Sequence, residues 1–219
     1  MELTRTEENY LKAIYHLENL DLKAASTNAI AEKMQTKASS VTDMIKKLAD
    51  KNLANYIRYK GVTLTKKGKN TAINIVRKHR LWEVFLVDKL NFSWDEVHEV
   101  AEQLEHIKSK KLIKQLDVFL GNPTQDPHGD PIPDAQGNIP PFDKVILSQL
   151  QANDHCTLVG VKHSKAEFLK YLDKNELTIG KKITVISKEP FDESMKIKVN
   201  VKTLQISKLI SQNLFVKLN

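Results

Sequence analysis

A proline-rich segment in the middle of the chain most constrains the fold. Six of the seven prolines lie in residues 121–141, GNPTQDPHGDPIPDAQGNIPP. Proline interrupts helical hydrogen bonding and is excluded from central strands, so neither a helix nor a sheet can continue through this stretch. We therefore expect a linker or an ordered irregular crossing that divides the chain. His128 within it is a candidate ligand, although a turn residue before Gly129 is the interpretation we prefer.

Composition narrows the class of protein. A chain of 219 residues can form two or three small domains, and 41% hydrophobic with 28% charged residues is ordinary for a globular protein. The sequence offers neither an apolar run of membrane-spanning length nor a signal peptide at MELTRTEENY. The single cysteine, Cys156, allows no internal disulfide and fits a reducing, cytoplasmic location. A small buried strand residue is a better interpretation of Cys156 than a catalytic thiol.

Charge is distributed unevenly along the chain. Residues 1–80 hold 16 Lys/Arg against 8 Asp/Glu, residues 81–146 hold 6 against 12, and residues 147–219 hold 12 against 7. A basic first third predicts a polyanionic partner, and an acidic middle suits bound cations.

The first third has the pattern of a helix-turn-helix. Thr4 and Glu7 have capping-box spacing at the start of a first helix. Ser26 or Thr27 can cap a short second helix, and Ser39 or Ser40 a third. Two short helices joined by a tight turn are typical of DNA-binding domains whose second helix enters the major groove.

A predicted β-hairpin at residues 53–65, with Gly61 near its turn, follows this pattern and makes a winged helix. Residues 37–69 hold nine Lys/Arg against Asp43 and Asp50, a balance equal to the +7 of the whole chain. Phosphate contact explains this concentration, and duplex DNA is the predicted partner; a basic face on a protein-binding winged helix is the alternative. The predicted DNA-contacting residues are Lys37, Ser39, Ser40, Thr42, Asp43, Lys46, Lys47, Arg58 and Lys60.

The helical region that follows carries candidate metal ligands. His79 and Glu83 are four residues apart and share one helix face. After a break at residues 91–93, with Ser93 as a possible N-cap, a second helix places further ligands on one stripe: His98, Glu102, Glu105 and His106. Imidazoles and carboxylates together suit manganese, iron, zinc, cobalt or nickel. The alternative is an ordinary solvated helix face, and His98–Glu102 is not a zinc-protease motif because its fifth residue is not histidine.

Two further patterns complete the architecture. A third helix at residues 109–120 adds more apolar surface than three short helices can bury together, so a homodimer interface is expected. Beyond the proline-rich segment, five short alternating stretches and one helix, residues 164–172, predict a small partly closed barrel. The strands are expected at 145–150, 157–161, 183–186, 195–201 and 214–218.

Several motifs together resemble one protein family. They are ENYLKAIY from Glu8, SSVTDMIKKL from Ser39, Leu64-Thr65 with Gly68, RKHRL from Arg77, Val97-His98, the trio Glu102, Glu105 and His106, and PHGDPIP from Pro127. The chain resembles, over nearly its full length, the diphtheria toxin repressor and manganese transport regulator family of metal-dependent repressors. This resemblance implies a winged-helix domain, a helical metal and dimerisation domain, and a C-terminal barrel.

The resemblance also implies two metal sites per subunit. His79, Glu83 and His98 match one site, which in the family is completed from the barrel; Glu167 matches a ligand position there, whereas Ser164 replaces another. Glu102, Glu105 and His106 match the other site, which Asn9 would complete. Asn9 stands where iron-type members carry Met and manganese-type members Asp, and Lys12 replaces a further acidic ligand of the manganese type. Ligation by oxygen and nitrogen alone favours Mn²⁺, with Fe²⁺ as the alternative.

The sequence thus predicts a mainly α protein with a small β domain. Its parts are an N-terminal winged helix-turn-helix (residues 1–72), a helical metal-binding and dimerisation domain (73–120), a proline-rich linker (121–143) and a small SH3-like β-barrel (144–219). The expected function is a homodimeric repressor that binds a palindromic operator and controls metal-uptake genes. In the expected switch, the metal-free acidic cluster repels itself and holds the first helix loosely.

Two other functions remain open on the sequence alone. One is a metallohydrolase with an accessory DNA-binding domain, although no nucleophile or phosphate-binding loop is visible. The other is a metal-independent winged-helix adaptor.

Overall fold

The computed structural model describes residues 2–21, 24–57 and 61–219. These residues form two compact units. The first comprises residues 1–79, 102–113 and 133–138, and the second comprises 80–101, 114–132 and 139–219. Among the described residues, no helix is both long enough and apolar enough to cross a membrane.

The first unit contains the winged helix. Its helices are α1 (Arg5–Asp21), α2 (Thr27–Lys33) and α3 (Ala38–Asp50), followed by the strands β1 (Ala54–Ile57) and β2 (Gly61–Leu64). Their apolar faces meet in one core, in which Leu11, Ile14, Ile30, Ile45 and Leu48 are fully buried. The predicted helix-turn-helix and hairpin are therefore confirmed.

Local hydrogen bonds show how these helices begin. The capping box of α1 is present, because the Thr4 amide donates to Glu7 Oε2 at 2.9 Å and the Glu7 amide donates to Thr4 Oγ1 at 3.2 Å. Ser26 caps α2 as expected, accepting from the Ala29 amide at 3.1 Å. The wing is extended by a bridge between Ala25 and Val62.

Three helices follow: α4 (Lys66–Leu90), α5 (Val97–Leu104) and α6 (Lys110–Phe119). Helix α4 contributes residues to both units. The prediction that Ser93 caps α5 is wrong, because a turn occupies residues 94–96 and the helix begins only at Val97. Ser93 instead opens that turn, its carbonyl accepting from the Glu96 amide at 3.1 Å.

The proline-rich segment is an ordered irregular crossing. In the second unit, Asp126 Oδ1 accepts from the amides of His128 and Asp130, both at 2.9 Å, and Arg80 donates to the Pro131 carbonyl at 2.5 Å. In the first unit, Arg77 donates to the Pro133 carbonyl at 2.7 Å. Two arginine side chains thus satisfy carbonyls that regular structure would otherwise pair.

The C-terminal part of the second unit is a six-stranded antiparallel sheet in the order β3-β8-β4-β5-β6-β7. Its elements are β3 (Val145–Ile146), β4 (His155–Val161), α7 (Ala166–Lys174), β5 (Lys182–Lys188), β6 (Met195–Val199), β7 (Lys202–Ile206), α8 (Lys208–Ser211) and β8 (Leu214–Leu218). Leu158, Leu169, Val185, Ile197 and Val216 fill its core.

Two of the predicted strands differ from the structure. The expected strand 145–150 is extended only to Ile146 and continues as a 3₁₀ turn over Leu147–Gln149. The expected strand 195–201 ends at Val199, because Asn200 takes a positive φ of 53° in a turn. Strand β7 was missed because the alternating pattern of β6 runs through this turn without a visible break.

Candidate metal centre and nucleic-acid interface

Helix α3 presents most of the predicted DNA-contacting side chains to solvent. The exposed ones are Lys37, Ser39, Ser40, Asp43, Lys46 and Lys47. Thr42 is half-buried, and its hydroxyl donates to the Ala38 carbonyl at 3.0 Å. Arg58 and Lys60 lie outside the described residues.

The prediction that Ser39 or Ser40 caps α3 is wrong. The helix begins at Ala38 after the N-cap residue Lys37, which forms no side-chain capping bond. Ser39 and Ser40 therefore lie within the first helical turn, where both residues are exposed. This position leaves both hydroxyls accessible to a partner.

Side chains of α1 meet those of the α5 region in the first unit. We call this group the Glu105 cluster: Glu8, Lys12, His79, Glu102, Glu105 and His106. The ammonium of Lys12 lies 2.7 Å from Glu105 Oε1, 2.8 Å from Glu105 Oε2 and 3.2 Å from Glu102 Oε1. The expectation that the acidic cluster repels itself is therefore wrong for Glu102 and Glu105, since the ammonium of Lys12, 93 residues before Glu105, lies between their carboxylates and pairs with both.

Histidines complete the Glu105 cluster. His106 Nδ1 lies 2.5 Å from Glu8 Oε2, and His79 Nδ1 lies 2.6 Å from Glu105 Oε2. Asn9 Oδ1 is buried and accepts no hydrogen bond from the residues that the structure describes. An amide oxygen buried in this way is a group that a bound cation would satisfy.

Burial separates residues that the helical stripe had grouped together. Glu105 is fully buried, whereas half of the Glu102 side chain is exposed. Helix α5 ends at Leu104, so Glu105 and His106 lie in the following turn rather than on the helix. Burial alone would raise the pKa of Glu105, but His79 and Lys12 outweigh it and hold that pKa below its usual value.

A second group lies in the second unit, and we call it the Glu83 cluster: Glu83, Asp126 and His128. All three are buried, and each offers a ligand atom within 4.8 Å of the other two. Glu83 Oε2 lies 3.6 Å from His128 Nδ1, and Glu83 Oε1 lies 3.4 Å from Nδ1 of His98. The His98 side chain is half exposed.

Charge balance in the Glu83 cluster depends on its histidine. Burial would lower the pKa of His128, but Glu83 and Asp126 raise it to about 9. The Trp94 carbonyl, 2.7 Å from His128 Nε2, accepts a hydrogen bond from that nitrogen. Burial and the neighbouring carboxylates of Glu83 and Asp130 raise the pKa of Asp126 to about 7, against the opposing charges of Arg80 and His128.

Sequence reasoning missed several of these residues. His128 lies in a turn before Gly129, as expected, but the turn also buries its imidazole against Glu83, which the sequence pattern does not reveal. Glu8 is the first residue of the motif ENYLKAIY, and Asp126 lies immediately before the motif PHGDPIP, but neither residue shows helical spacing with the predicted ligands. Glu167 is exposed on the first turn of α7 and belongs to neither candidate ligand group found among the described residues.

The donor atoms fit a divalent cation. Apart from the ammonium of Lys12, the polar groups of both clusters are carboxylate oxygens and imidazole nitrogens, the ligand types of manganese, ferrous iron and zinc, with no cysteine among them. The partnerless oxygen of Asn9, the residue after Glu8 on α1, is a further donor of a type that such a cation accepts.

Comparison with protein-family models assigns all three regions. The model "Iron dependent repressor, N-terminal DNA binding domain" matches residues 2–62. The model "Iron dependent repressor, metal binding and dimerisation domain" matches residues 65–134. A FeoA domain matches residues 145–218.

Two curated relatives that match part of this chain are also repressors. The iron-dependent repressor IdeR of Mycobacterium tuberculosis (strain ATCC 25618 / H37Rv) is 36% identical over 132 residues, covering 60% of this chain and 57% of that protein. The diphtheria toxin repressor of Corynebacterium efficiens is 30% identical over 132 residues, with the same coverage. The match thus spans little more than half the length of these relatives.

Solved structures match nearly the whole chain. A manganese-dependent transcriptional repressor in complex with manganese is 31% identical, covers 97% of this chain and 100% of its own, and has a TM-score of 0.87. The manganese regulator SloR is 34% identical, covers 99% and 100%, and has a TM-score of 0.77. These relatives are repressors or regulators, so the metallohydrolase alternative is not supported. The chain belongs to the iron-dependent repressor family of metal-dependent, DNA-binding transcriptional repressors.

Proposed function

We propose that the protein represses transcription as a homodimer that binds a palindromic operator when loaded with Mn²⁺, or alternatively Fe²⁺, and that it controls metal-uptake genes. The observation that carries this proposal is the composition of the Glu105 cluster. It joins side chains from α1, the first helix of the winged-helix domain, to ligands that follow α5. A ligand that organises this cluster can therefore act directly on the DNA-binding domain.

Two ions per subunit are part of the proposal. Asn9, Glu102, Glu105 and His106 would hold one ion. His79 and Glu83, one helical turn apart on α4, would hold the other together with His98, and Asp126 and His128 offer further ligands next to Glu83. Glu167 is retained only as an exposed candidate that could complete this second site.

The preference for manganese follows from the donor atoms. A bound divalent ion would supply positive charge and coordination bonds to oxygen and nitrogen donors. Neither cluster contains a thiol or thioether, which softer ions favour. The solved relative described as bound to manganese supports the same choice.

The chain's own residues link the metal clusters to DNA binding. Glu8 pairs with His106, and Lys12 pairs with Glu105, so α1 is connected at two points to the turn after α5. The same helix packs through Leu11 and Ile14 into the core that supports α3. If a bound metal ion raises the affinity of the protein for DNA by a given factor, bound DNA must raise the affinity for the metal ion by the same factor.

A homodimer is supported by apolar side chains near α6. Val118 is 57% exposed and Phe119 64% exposed, and Leu90 at the end of α4 is 51% exposed. Contiguous exposed apolar patches often mark protein–protein interfaces. A twofold dimer would present two α3 helices to the two halves of a palindrome.

The test is operator binding with and without metal. A duplex selected from a random pool in the presence of Mn²⁺ would be titrated anaerobically with the wild type and the Glu105→Gln and His106→Ala variants. Mn²⁺ should strengthen wild-type binding at least about ten-fold, a typical allosteric coupling, and should barely affect either variant. Parallel titrations with Fe²⁺ and Zn²⁺ would rank the metals.

The matched control is Glu32→Gln, which makes the same change at an exposed position on α2. This variant should retain the full metal response. Operator binding that is equally strong in a chelator and in Mn²⁺ would contradict the proposal.

A further inference from the structure

Lys12 stands out because it is a cation among the proposed metal ligands. Its side chain is only 12% exposed, and its ammonium contacts both oxygens of Glu105 and one oxygen of Glu102. Glu105 itself is fully buried. Lysines at protein surfaces usually point into solvent, so this buried, three-oxygen contact requires a reason.

The desolvation of this pair makes it different from an ordinary surface ion pair. Exposed lysine–glutamate pairs contribute little, because water screens both charges. A carboxylate with no exposed surface needs a partner, since leaving it charged and unpaired is strongly destabilising. Lys12 supplies that partner, with further support from His79 at 2.6 Å from Glu105 Oε2.

We propose that Lys12 is a tethered counter-ion that occupies the carboxylates of Glu105 and Glu102 in the metal-free protein and must withdraw from them when a divalent ion binds. This inference rests on the proposed function, because it concerns the same ligands. The ammonium and a metal ion need the same oxygens, so each lowers the affinity of the cluster for the other. Lys12 thereby sets the metal concentration to which the protein responds.

If Lys12 acts in this way, α1 is already held in place before the metal binds. Lys12 belongs to α1, and its contact with Glu105 keeps this helix beside the turn after α5 without any metal. The metal response is then an exchange of one cation for another within a formed cluster. It does not require α1 to be loose beforehand.

The experiment measures Mn²⁺ binding directly, by isothermal titration calorimetry on the full-length protein without DNA. Lys12→Met removes the charge and keeps an unbranched side chain, and its thioether is a poor ligand for manganese. Because a unit charge close to the ion repels it even in a partly screened environment, Lys12→Met should bind Mn²⁺ on the order of ten-fold more tightly than the wild type. Lys33→Met, an equal charge change at an exposed position on α2, should leave the dissociation constant unchanged.

Thermal unfolding provides a second measurement in case Lys12→Met is poorly folded without metal. Its metal-free Tm should be lower than that of the wild type, and saturating Mn²⁺ should raise it by more than it raises the wild-type Tm. Lys12→Arg keeps the charge and should retain a wild-type or weaker affinity for Mn²⁺.

The outcomes separate the two proposals. The role of Lys12 alone is overturned if the wild type binds Mn²⁺ but Lys12→Met binds it no more tightly than Lys33→Met does. In that case Mn²⁺ would also raise the Tm of Lys12→Met by no more than it raises the wild-type Tm. A wild type that binds none of Mn²⁺, Fe²⁺ and Zn²⁺ overturns the proposed function and this inference with it.

Discussion

Gly129 holds the proline-rich segment against the sheet of the second unit. Its φ is +83°, and a Cβ at this position would lie 2.0 Å from the Val159 carbonyl oxygen and 2.5 Å from the Cα of Gly160. The close approach allows the Val161 amide to donate to the His128 carbonyl at 3.0 Å. A single residue without a side chain therefore positions the neighbouring His128, whose imidazole lies beside Glu83.

Gly129→Ala should be strongly destabilising. A positive φ costs a non-glycine residue about 1 kcal/mol, and forcing the backbone of β4 away adds about 1–3 kcal/mol. Gly121→Ala is the matched control, because Gly121 also has a positive φ, +78°, but nothing lies within 4 Å of the position that its Cβ would take. Urea unfolding should show the larger loss only for Gly129→Ala; equal losses would mean that the close approach contributes nothing.

At the scale of elements, α2 and α3 begin in different ways although both follow serine-containing stretches. Ser26 accepts a bond from the Ala29 amide and caps α2, whereas α3 begins without a side-chain cap. Ser39 and Ser40 are instead exposed on the first turn of α3, with Lys46 and Lys47 further along the helix. Serine therefore caps the start of α2, whereas the serines at the start of α3 form no cap and are exposed.

Ser26→Ala and Ser40→Ala should affect different quantities: the first should lower stability, and the second should weaken DNA binding. Loss of an N-cap costs about 1 kcal/mol, so Ser26→Ala should lower the free energy of unfolding by that amount. Ser40→Ala should leave the free energy of unfolding within about 0.5 kcal/mol of the wild type, as surface substitutions usually do, but weaken operator binding. Chemical denaturation and gel-shift titration measure the two quantities, and a destabilised Ser40→Ala variant would contradict this assignment.

At the scale of the whole molecule, basic and acidic residues are concentrated in different parts of the chain. The net charge of +7 conceals a basic first third and an acidic middle. Lys46 and Lys47 are exposed on α3, while acidic side chains such as Glu83, Glu105 and Asp126 are buried with partners. This charge distribution agrees with the proposed function, in which the basic part of the chain contacts a polyanion and the acidic part binds cations.

Lys46→Ala should reduce the salt dependence of operator binding. Each lost phosphate contact lowers the slope of log K against log salt by about 0.9. Lys198→Ala, an equal charge change at an exposed position on β6, should leave the slope unchanged. The slope is obtained by repeating the titration from low to moderate salt, and an unchanged slope for Lys46→Ala would exclude Lys46 from the interface.

Much of the fold could be predicted from local patterns. Apolar periodicity and capping residues indicated α1, α2, α3 and the wing, because these signals act within a few residues of each other. These signals were insufficient at β7, where the alternating pattern was ambiguous, and at the start of α3, where two neighbouring serines both matched the pattern of an N-cap. The ligand types of the candidate metal centre were also predictable, since imidazole and carboxylate side chains recur at helical spacing.

The sequence by itself determined which elements form, which family the chain resembles and which residue types are available to hold a metal. Only the tertiary structure decided that Glu105 is buried while Glu102 is half exposed, that Lys12 and Glu8 join them, and that His128 faces Glu83. The physical reason is that periodicity reports one face of one helix. Contacts between residues 93 or 98 positions apart depend on how separate elements pack, and no local pattern encodes them.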